Sequence, residues 1–120
     1  MENHIKALII HWQDVCYAWD VVNEALASNG SFLSGAWTTI GPEYFFLAYQ
    51  FAQEAVEATG KDIKLYYNDY GIEDTGNKTQ ATYSLVEELQ ARDIRINDTS
   101  LKSHFKVGGT PRSAKESLGT

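Results

Sequence analysis

The sequence has few residues that form cross-links or hold metal ions. Cys16 is the only cysteine among the 120 residues, which excludes an internal disulfide. Neither this cysteine nor the three histidines show the spacing that zinc ligands require. We therefore expect no metal ion and no other cofactor.

Long apolar segments and positive charge are also scarce. No apolar run approaches the ~20 residues that cross a membrane, and residues 1–6 do not build a secretory signal. Lysine and arginine number 10 against 16 aspartate and glutamate residues, which gives a formal net charge of −6 at pH 7. Without a basic stripe to neutralise phosphates, neither nucleic acid nor an anionic membrane is expected as a partner. Neutral and cationic ligands remain open.

What the sequence does contain is an alternation of helix-like and strand-like segments. Apolar residues recur at helical spacing over residues 3–13, and a short apolar run over 15–22 is typical of a parallel strand buried on both faces. The alternation continues with a helix from Pro42-Glu43 to Gly60, a strand over 63–67, a helix capped by Asn77 that runs to Leu89, and a strand over 94–96 that extends at most to Leu101.

Strands that alternate with helices, without hairpin signals, predict right-handed parallel crossovers in an α/β architecture. A three-stranded parallel sheet cannot cover both of its own faces. A complete (β/α)8 barrel takes about 250 residues, roughly twice this length. The pattern alone therefore leaves two interpretations open, part of a barrel or a small open α/β domain.

Polar side chains follow the predicted strands at the ends that, in an α/β barrel, face the active-site mouth. Asn23 and Glu24 follow the first strand, residues 68–70 follow the second, and the third leads toward Lys102 and His104. An amide beside a carboxyl group suits glycoside cleavage, in which an acid protonates the leaving oxygen while an amide holds a sugar hydroxyl. The alternative is that Glu24 is a solvated residue or a helix cap.

Three segments carry a resemblance to a known family. Residues 19–25, which read WDVVNEA, resemble the fourth-strand signature of glycoside hydrolase family 10, and residues 65–70, LYYNDY, are similar to the end of that family's fifth strand. Residues 101–105 and 107–111 are similar to its sixth strand and the loop that follows. The resemblance implies a partial (β/α)8 barrel of about strands four to six with their helices. Residues 1–120 would then be a fragment of a single catalytic domain.

The resemblance also implies an enzyme, a retaining endo-1,4-β-xylanase that acts on xylan and xylo-oligosaccharides and is secreted. Glu24 matches the family's general acid/base, and Asn23 matches the asparagine that binds the 2-hydroxyl of the sugar being cleaved. Asn68 and Tyr70 match positions that line the cleft, with buried packing as the alternative for both. His104 matches a histidine that orients the nucleophile, with a structural role as the alternative.

The catalytic pair is expected to be incomplete in this chain. A retaining enzyme needs a second carboxylate about 5–5.5 Å from the acid, and the family carries it on its seventh strand. The resemblance places Glu116 in the helix after strand six, so no nucleophile is assigned and the chain alone is expected to be inactive. The alternative is a truncated, non-catalytic module with at most weak carbohydrate binding.

Asp20 and the third strand raise separate expectations. An unpaired charge inside an apolar strand is costly, so Asp20 is expected to hydrogen-bond to neighbouring strands as a supporting residue. Lys102 stands where the family usually has glutamine, which changes the available hydrogen bonds. Asp98 and Ser100 stand where it usually has glycines, and their side chains are expected to crowd a tight strand turn.

Overall fold

Helices and strands alternate along the chain, as the apolar periodicity predicts. The computed structural model describes residues 1–103 and 105–108, apart from the side chains of residues 36 and 37. The elements are α1 (Glu2–His11), β1 (Ala18–Asn23), a short 3-10 helix (Ala36–Ile40), α2 (Tyr44–Thr59), β2 (Lys64–Asp69), α3 (Asn77–Ala91) and β3 (Asp98–Leu101). Among these residues no helix has both the length and the apolar character needed to span a membrane.

The three strands form one parallel sheet in the order β1-β2-β3. Each crossover contains a helix, which confirms the predicted α/β architecture. All three strands therefore end at the same edge of the sheet, where polar side chains gather. In the described part of the chain β1 pairs with β2 alone. It consequently has no fully buried residue, and the prediction that β1 is buried on both faces is wrong.

The pairing of β1 with β2 is interrupted by a bulge at Val21. Asp20 pairs with Tyr66 and Val22 pairs with Tyr67, so two steps along β1 match one step along β2. An inserted residue of this kind changes which side chains share a face of the strand.

Helix ends agree with the sequence in one case and differ in another. α2 ends at Gly60, whose left-handed φ of 66° and N–H bond to the carbonyl oxygen of Glu57 confirm the predicted stop. α3 starts at Asn77, but the residue before it, Gly76, occupies the cap position. The Asp74 carboxylate already turns the chain there, because its Oδ1 accepts a 2.8 Å bond from the Gly76 N–H. The predicted capping role of Asn77 is therefore wrong.

The third strand lies further along the chain than the apolar residues suggest. Ile94 and Ile96, the ends of the 94–96 segment predicted as strand, pack against the core from a loop. Asn97 then joins that loop to β2 in both directions, since its N–H donates to the carbonyl of Leu65 (2.8 Å) and its Oδ1 accepts from the Leu65 N–H (2.8 Å). β3 starts only after this anchor, at Asp98.

The apolar core lies between the sheet and α2. Phe45 and Tyr49 of α2 are fully buried, and the ring of Phe45 packs edge-on against Tyr67 of β2 at 5.6 Å between centroids. Burial of one such ring stabilises the fold by roughly 1.5–3 kcal/mol. A second cluster joins α1, α2 and β2 through Ile9, Ala52, Val56, Ile63 and Leu65. The core thus fixes β2, the strand that the polar edge is built around.

Candidate active site

Glu24 directly follows β1 and adopts an unusual backbone conformation. Its φ of 52° lies in the left-handed region, which is uncommon for a residue other than glycine. Two bonds to β2 hold it there. The Glu24 N–H donates to the carbonyl oxygen of Asn68 (2.8 Å), and the next amide, that of Ala25, donates to the hydroxyl of Tyr67 (3.2 Å). Strained backbone that is over-determined in this way is concentrated at functional sites.

The carboxylate of Glu24 forms an ion pair with Lys102, which directly follows β3. The two side chains are 34% and 30% exposed, so the pair is partly shielded and still open to a ligand. Lys102 therefore does more than replace a neutral amide. It brings a positive charge to the carboxyl group that the family resemblance assigns to proton transfer.

Next to this pair, amide and hydroxyl groups form a line across the strand ends. The Nδ2 of Asn68 donates a 2.7 Å bond to Oδ1 of Asn23. Ser100 of β3 donates to Oδ1 of Asn68 (3.0 Å) and lies 3.1 Å from Oδ1 of Asp20. Because the bond from Asn68 uses the oxygen of Asn23, it leaves the amide NH2 of Asn23 as the donor for a ligand hydroxyl.

The bulge at Val21 explains how Asp20 takes part. Residues three apart on a regular strand point to opposite faces, yet Asp20 contacts Ser100 and Asn23 contacts Asn68, two side chains that are bonded to each other. The extra residue restores the shared face. Asp20 itself is exposed, and its Oδ1 lies within hydrogen-bond distance of the Ser100 hydroxyl, on the strand two positions away in the sheet.

Tyr70 and Asp69, at the end of β2, behave differently. The Tyr70 side chain is 47% exposed, so buried packing does not describe it, and Asn68 is half-buried. Asp69 is fully buried and pairs with Lys78 of α3 at 2.8 Å. The Lys78 ammonium also lies 3.8 Å from the centre of the Tyr70 ring. Sequence reasoning missed Asp69 and Lys78, and the available signal was a lysine on the buried face of a helix.

The hydroxyl of Tyr67 connects the buried group to the acid. It donates to Oδ2 of Asp69 and accepts the bond from the Ala25 amide. Burial first, and then the hydrogen bond to Asp69, raise the pKa of Tyr67 well above its ordinary value of 10.0. The phenol consequently keeps its proton at all physiological pH values and remains a donor.

The segment after β3 is held by Glu73, which is 2% exposed. Its Oε1 accepts a 2.9 Å bond from the N–H of Ser103, a residue with a left-handed φ of 47°. This contact fixes the backbone next to Lys102. The expected crowding at Asp98 and Ser100 is wrong, because both lie in regular β3 and neither has a positive φ. His104 lies outside the described residues.

No group of three or more potential metal ligands occurs among residues 1–103 and 105–108. The arrangement instead combines the accessible carboxylates of Glu24 and Asp20 with amide and hydroxyl groups that hydrogen-bond to one another. These are the functional groups that protonate an ether-type oxygen and hold sugar hydroxyls. Their position beyond parallel strand ends is that of active sites in (β/α)8-barrel enzymes. Together, the fold and the site match a segment of an α/β barrel whose polar edge is suited to a carbohydrate.

The chain belongs to glycosyl hydrolase family 10, whose sequence model matches residues 1–120. Among curated proteins it is 39% identical over 117 residues to endo-1,4-beta-xylanase D of Talaromyces funiculosus, covering 97% of this chain and 28% of that protein. The chain therefore spans less than a third of that relative's length.

Solved structures give the same result. The endo-1,4-beta-xylanase XylE of Penicillium canescens is 49% identical, with a TM-score of 0.93 over 97% of this chain and 36% of that one. A family 10 xylanase from Bispora sp. MEY-1, solved with xylobiose, is 43% identical, with a TM-score of 0.94 over 98% of this chain and 37% of that one. The fold is thus part of the (β/α)8 barrel of these xylanases, as the family resemblance implies.

Proposed function

We propose that residues 1–120 are a fragment of a single family 10 catalytic domain and supply the acid/base half of a retaining endo-1,4-β-xylanase. The observation that carries this proposal is the placement of Glu24. Its carboxylate lies at the carboxyl edge of the parallel sheet, is one-third exposed, and is held by an over-determined left-handed backbone. A carboxyl group so placed can reach a ligand that crosses the strand ends.

In the proposed reaction Glu24 acts twice. As an acid it gives its proton to the glycosidic oxygen while a carboxylate nucleophile, from a part of the barrel outside this chain, bonds to the anomeric carbon. As a carboxylate it then takes a proton from the water that releases the sugar from the enzyme. Configuration at the anomeric carbon is retained because it inverts twice. The chain alone is accordingly proposed to be inactive.

The neighbouring groups are proposed to hold the sugar. Asn23 donates its amide NH2 to the 2-hydroxyl of the sugar being cleaved, and the bond from Asn68 keeps that amide in place. The exposed ring of Tyr70 lines the cleft. Asp20 supports the line of polar groups through Ser100. His104 is proposed, from the resemblance alone, to orient the nucleophile.

The substrate is proposed to be β-1,4-xylan and its oligosaccharides. The relatives named above are xylanases, and one was solved with xylobiose. Because polymeric xylan does not enter cells, we also propose that the protein acts outside the cell.

The proposal can be tested in a complete barrel, in which this chain replaces the matching segment of the Penicillium canescens enzyme. We expect xylan hydrolysis with retained configuration, measured by reducing ends and by NMR of the first-formed anomer. Glu24→Ala should lower activity by about 10²–10⁴-fold. Glu87→Ala, at an exposed position on α3, is the matched control and should have no effect.

Added azide separates a lost acid/base from general damage. A small anion can replace the activated water, so Glu24→Ala with an activated aryl xylobioside should recover activity and form the β-configured glycosyl azide. A Glu24→Ala barrel that keeps its activity would refute the proposal. A folded but inactive barrel that still binds xylobiose by calorimetry would favour the non-catalytic alternative. Turnover by the monomeric 120-residue chain, lost in Glu24→Ala, would contradict the assignment of the nucleophile to another segment.

A further inference from the structure

A chain of buried polar contacts runs from α3 to the backbone beside Glu24. It starts at Lys78, whose ammonium donates to Oδ1 of Asp69 at 2.8 Å. The two side chains are only 6% and 0% exposed. Lys78 also donates to the carbonyl oxygen of Tyr70 (2.8 Å), and the Tyr70 N–H donates to Oδ1 of Asp69 (2.8 Å). Lysine and carboxylate are therefore fixed relative to the end of β2.

The next link is the hydroxyl of Tyr67, which has a single proton to give. That proton is used in the bond to Oδ2 of Asp69. The hydroxyl oxygen is left as an acceptor, and the amide of Ala25 donates to it at 3.2 Å. The direction of each hydrogen bond from Lys78 to Ala25 is therefore fixed. Removing the phenolic oxygen would leave the buried amide of Ala25 without this partner.

Stability alone does not account for this arrangement. Buried ion pairs lose about as much in desolvation as they gain in attraction, and apolar residues of similar volume often serve folding equally well. What the group does provide is geometric definition, because every member is fixed by two or more directional bonds. The element that it fixes is the turn at Glu24, where a residue other than glycine adopts a left-handed φ of 52°.

We propose that Lys78, Asp69 and Tyr67 are positioning residues for Glu24, and that they act through the bond from the Ala25 amide to Tyr67. This inference rests on the acid/base role proposed above. A general acid must come within about 2.6–3.2 Å of the oxygen that it protonates. A displacement of about 1 Å is enough to lower a rate about 100-fold. Loss of the Tyr67 hydroxyl lets the turn relax and moves the carboxyl group away from the glycosidic oxygen.

The test compares two substitutions that each remove one phenolic oxygen from a buried tyrosine. Tyr67→Phe removes the link to Ala25. Tyr49→Phe is the matched control, since the Tyr49 hydroxyl is buried, donates to the carbonyl of Tyr66 (3.0 Å) and bonds to β1 at the backbone of Val22, before the turn, whereas the Ala25 amide bonds to Tyr67. Both are made in the complete barrel, with the Glu24→Ala barrel as the reference. Urea unfolding shows whether each variant is folded.

The readout is kcat/KM for two aryl β-xylobiosides that differ in leaving group. A dinitrophenolate leaves without help from an acid, whereas an unsubstituted phenolate needs protonation. A misplaced acid therefore affects the second substrate selectively, and a general structural defect affects both equally. For Tyr67→Phe we expect a loss of at least about tenfold with the phenyl substrate, less than the loss caused by Glu24→Ala. Little change is expected with the dinitrophenyl substrate. Tyr49→Phe should show no difference between the two.

The outcomes separate this inference from the one on which it rests. If Glu24→Ala itself shows no selective loss, the acid/base role fails. If Glu24→Ala shows it and a folded Tyr67→Phe barrel does not, only the positioning role fails. Asp69→Asn places an amide NH2 opposite the Tyr67 hydroxyl and provides a second variant. The same selective loss there supports the proposal, and an equal loss with both substrates contradicts it.

Discussion

Lys102 forms an ion pair with the carboxylate of Glu24, although β2 separates the strands that carry the two residues. The lysine holds Oε1 of the carboxyl group that is proposed to protonate the glycosidic oxygen, and a carboxylate gives up such an ion pair when it takes up the proton to be transferred. The pair has to open first, and opening a partly exposed pair costs up to about 1 kcal/mol.

Lys102→Gln should therefore raise kcat/KM of the complete barrel on xylo-oligosaccharides, by up to about fivefold for this energy. Lys102→Arg keeps the charge and is the control, expected to give no gain. A drop of more than tenfold in Lys102→Gln would show instead that the ammonium group assists the reaction.

Asn68 offers a second test, because its 2.7 Å bond fixes the amide that is proposed to hold the 2-hydroxyl. Asn68→Ala should lower kcat by about 10–100-fold and leave KM nearly unchanged, since contacts to this hydroxyl strengthen in the transition state. The same substitution should cost far less with a 2-deoxy substrate, which lacks the hydroxyl. Equal losses with both substrates would contradict the assigned contact.

Removing one partner of the buried ion pair between Lys78 and Asp69 should destabilise the fold strongly. Lys78→Met leaves a fully buried carboxylate without its ammonium partner, and we expect a loss of about 3–5 kcal/mol in the free energy of unfolding. Lys61→Met breaks an exposed ion pair with Asp14 and should cost no more than about 1 kcal/mol. Urea unfolding of the two complete barrels measures the difference. Similar values for both would mean that water reaches the buried pair.

Stability should fall in alkaline solution because of Tyr49 and Tyr67. Burial, as the largest cause in both, raises the pKa of each folded phenol well above 10.0. Above pH 10 the unfolded chain loses these protons while the folded chain keeps them. Deprotonation therefore stabilises the unfolded state relative to the folded state. Each phenol should lower stability by up to about 1.4 kcal/mol per pH unit.

Urea unfolding between pH 8 and 11 checks this expectation. Tyr49→Phe and Tyr67→Phe should each flatten the decline. Tyr17→Phe removes a phenol that is 80% exposed and serves as the control. A decline that neither core substitution changes would place its origin in other groups.

The sequence predicted those parts of the fold that depend on local pattern. The alternation of periodicities gave the parallel α/β order, and the apolar runs placed polar residues at the strand ends. It failed at Ile94 and Ile96, since a half-buried loop and a short strand have the same apolar content. It also failed at Asn77, where the side chain of Asp74 had already turned the chain.

The connections within the site were beyond local reasoning. Lys102 and Glu24 are 78 positions apart, and Ala25 and Tyr67 are 42 apart. Both contacts depend on strand register, which the bulge at Val21 shifts by one residue. Asn23, Glu24, Asn68 and Tyr70 could be predicted as candidates because each lies directly at a strand end. Asp69 and Lys78 were missed because their importance lies in a buried contact.

The bulge at Val21 also governs how this strand can be edited. Side chains at odd and even positions of a strand point to opposite faces, and the extra residue reverses this alternation between Asp20 and Asn23. If residues 20–23 all paired with β2 as a regular strand, without the bulge, the asparagine would turn toward the opposite face. Residues 19–25 should therefore be transferred together, with the bulge included, when this strand is exchanged between related enzymes.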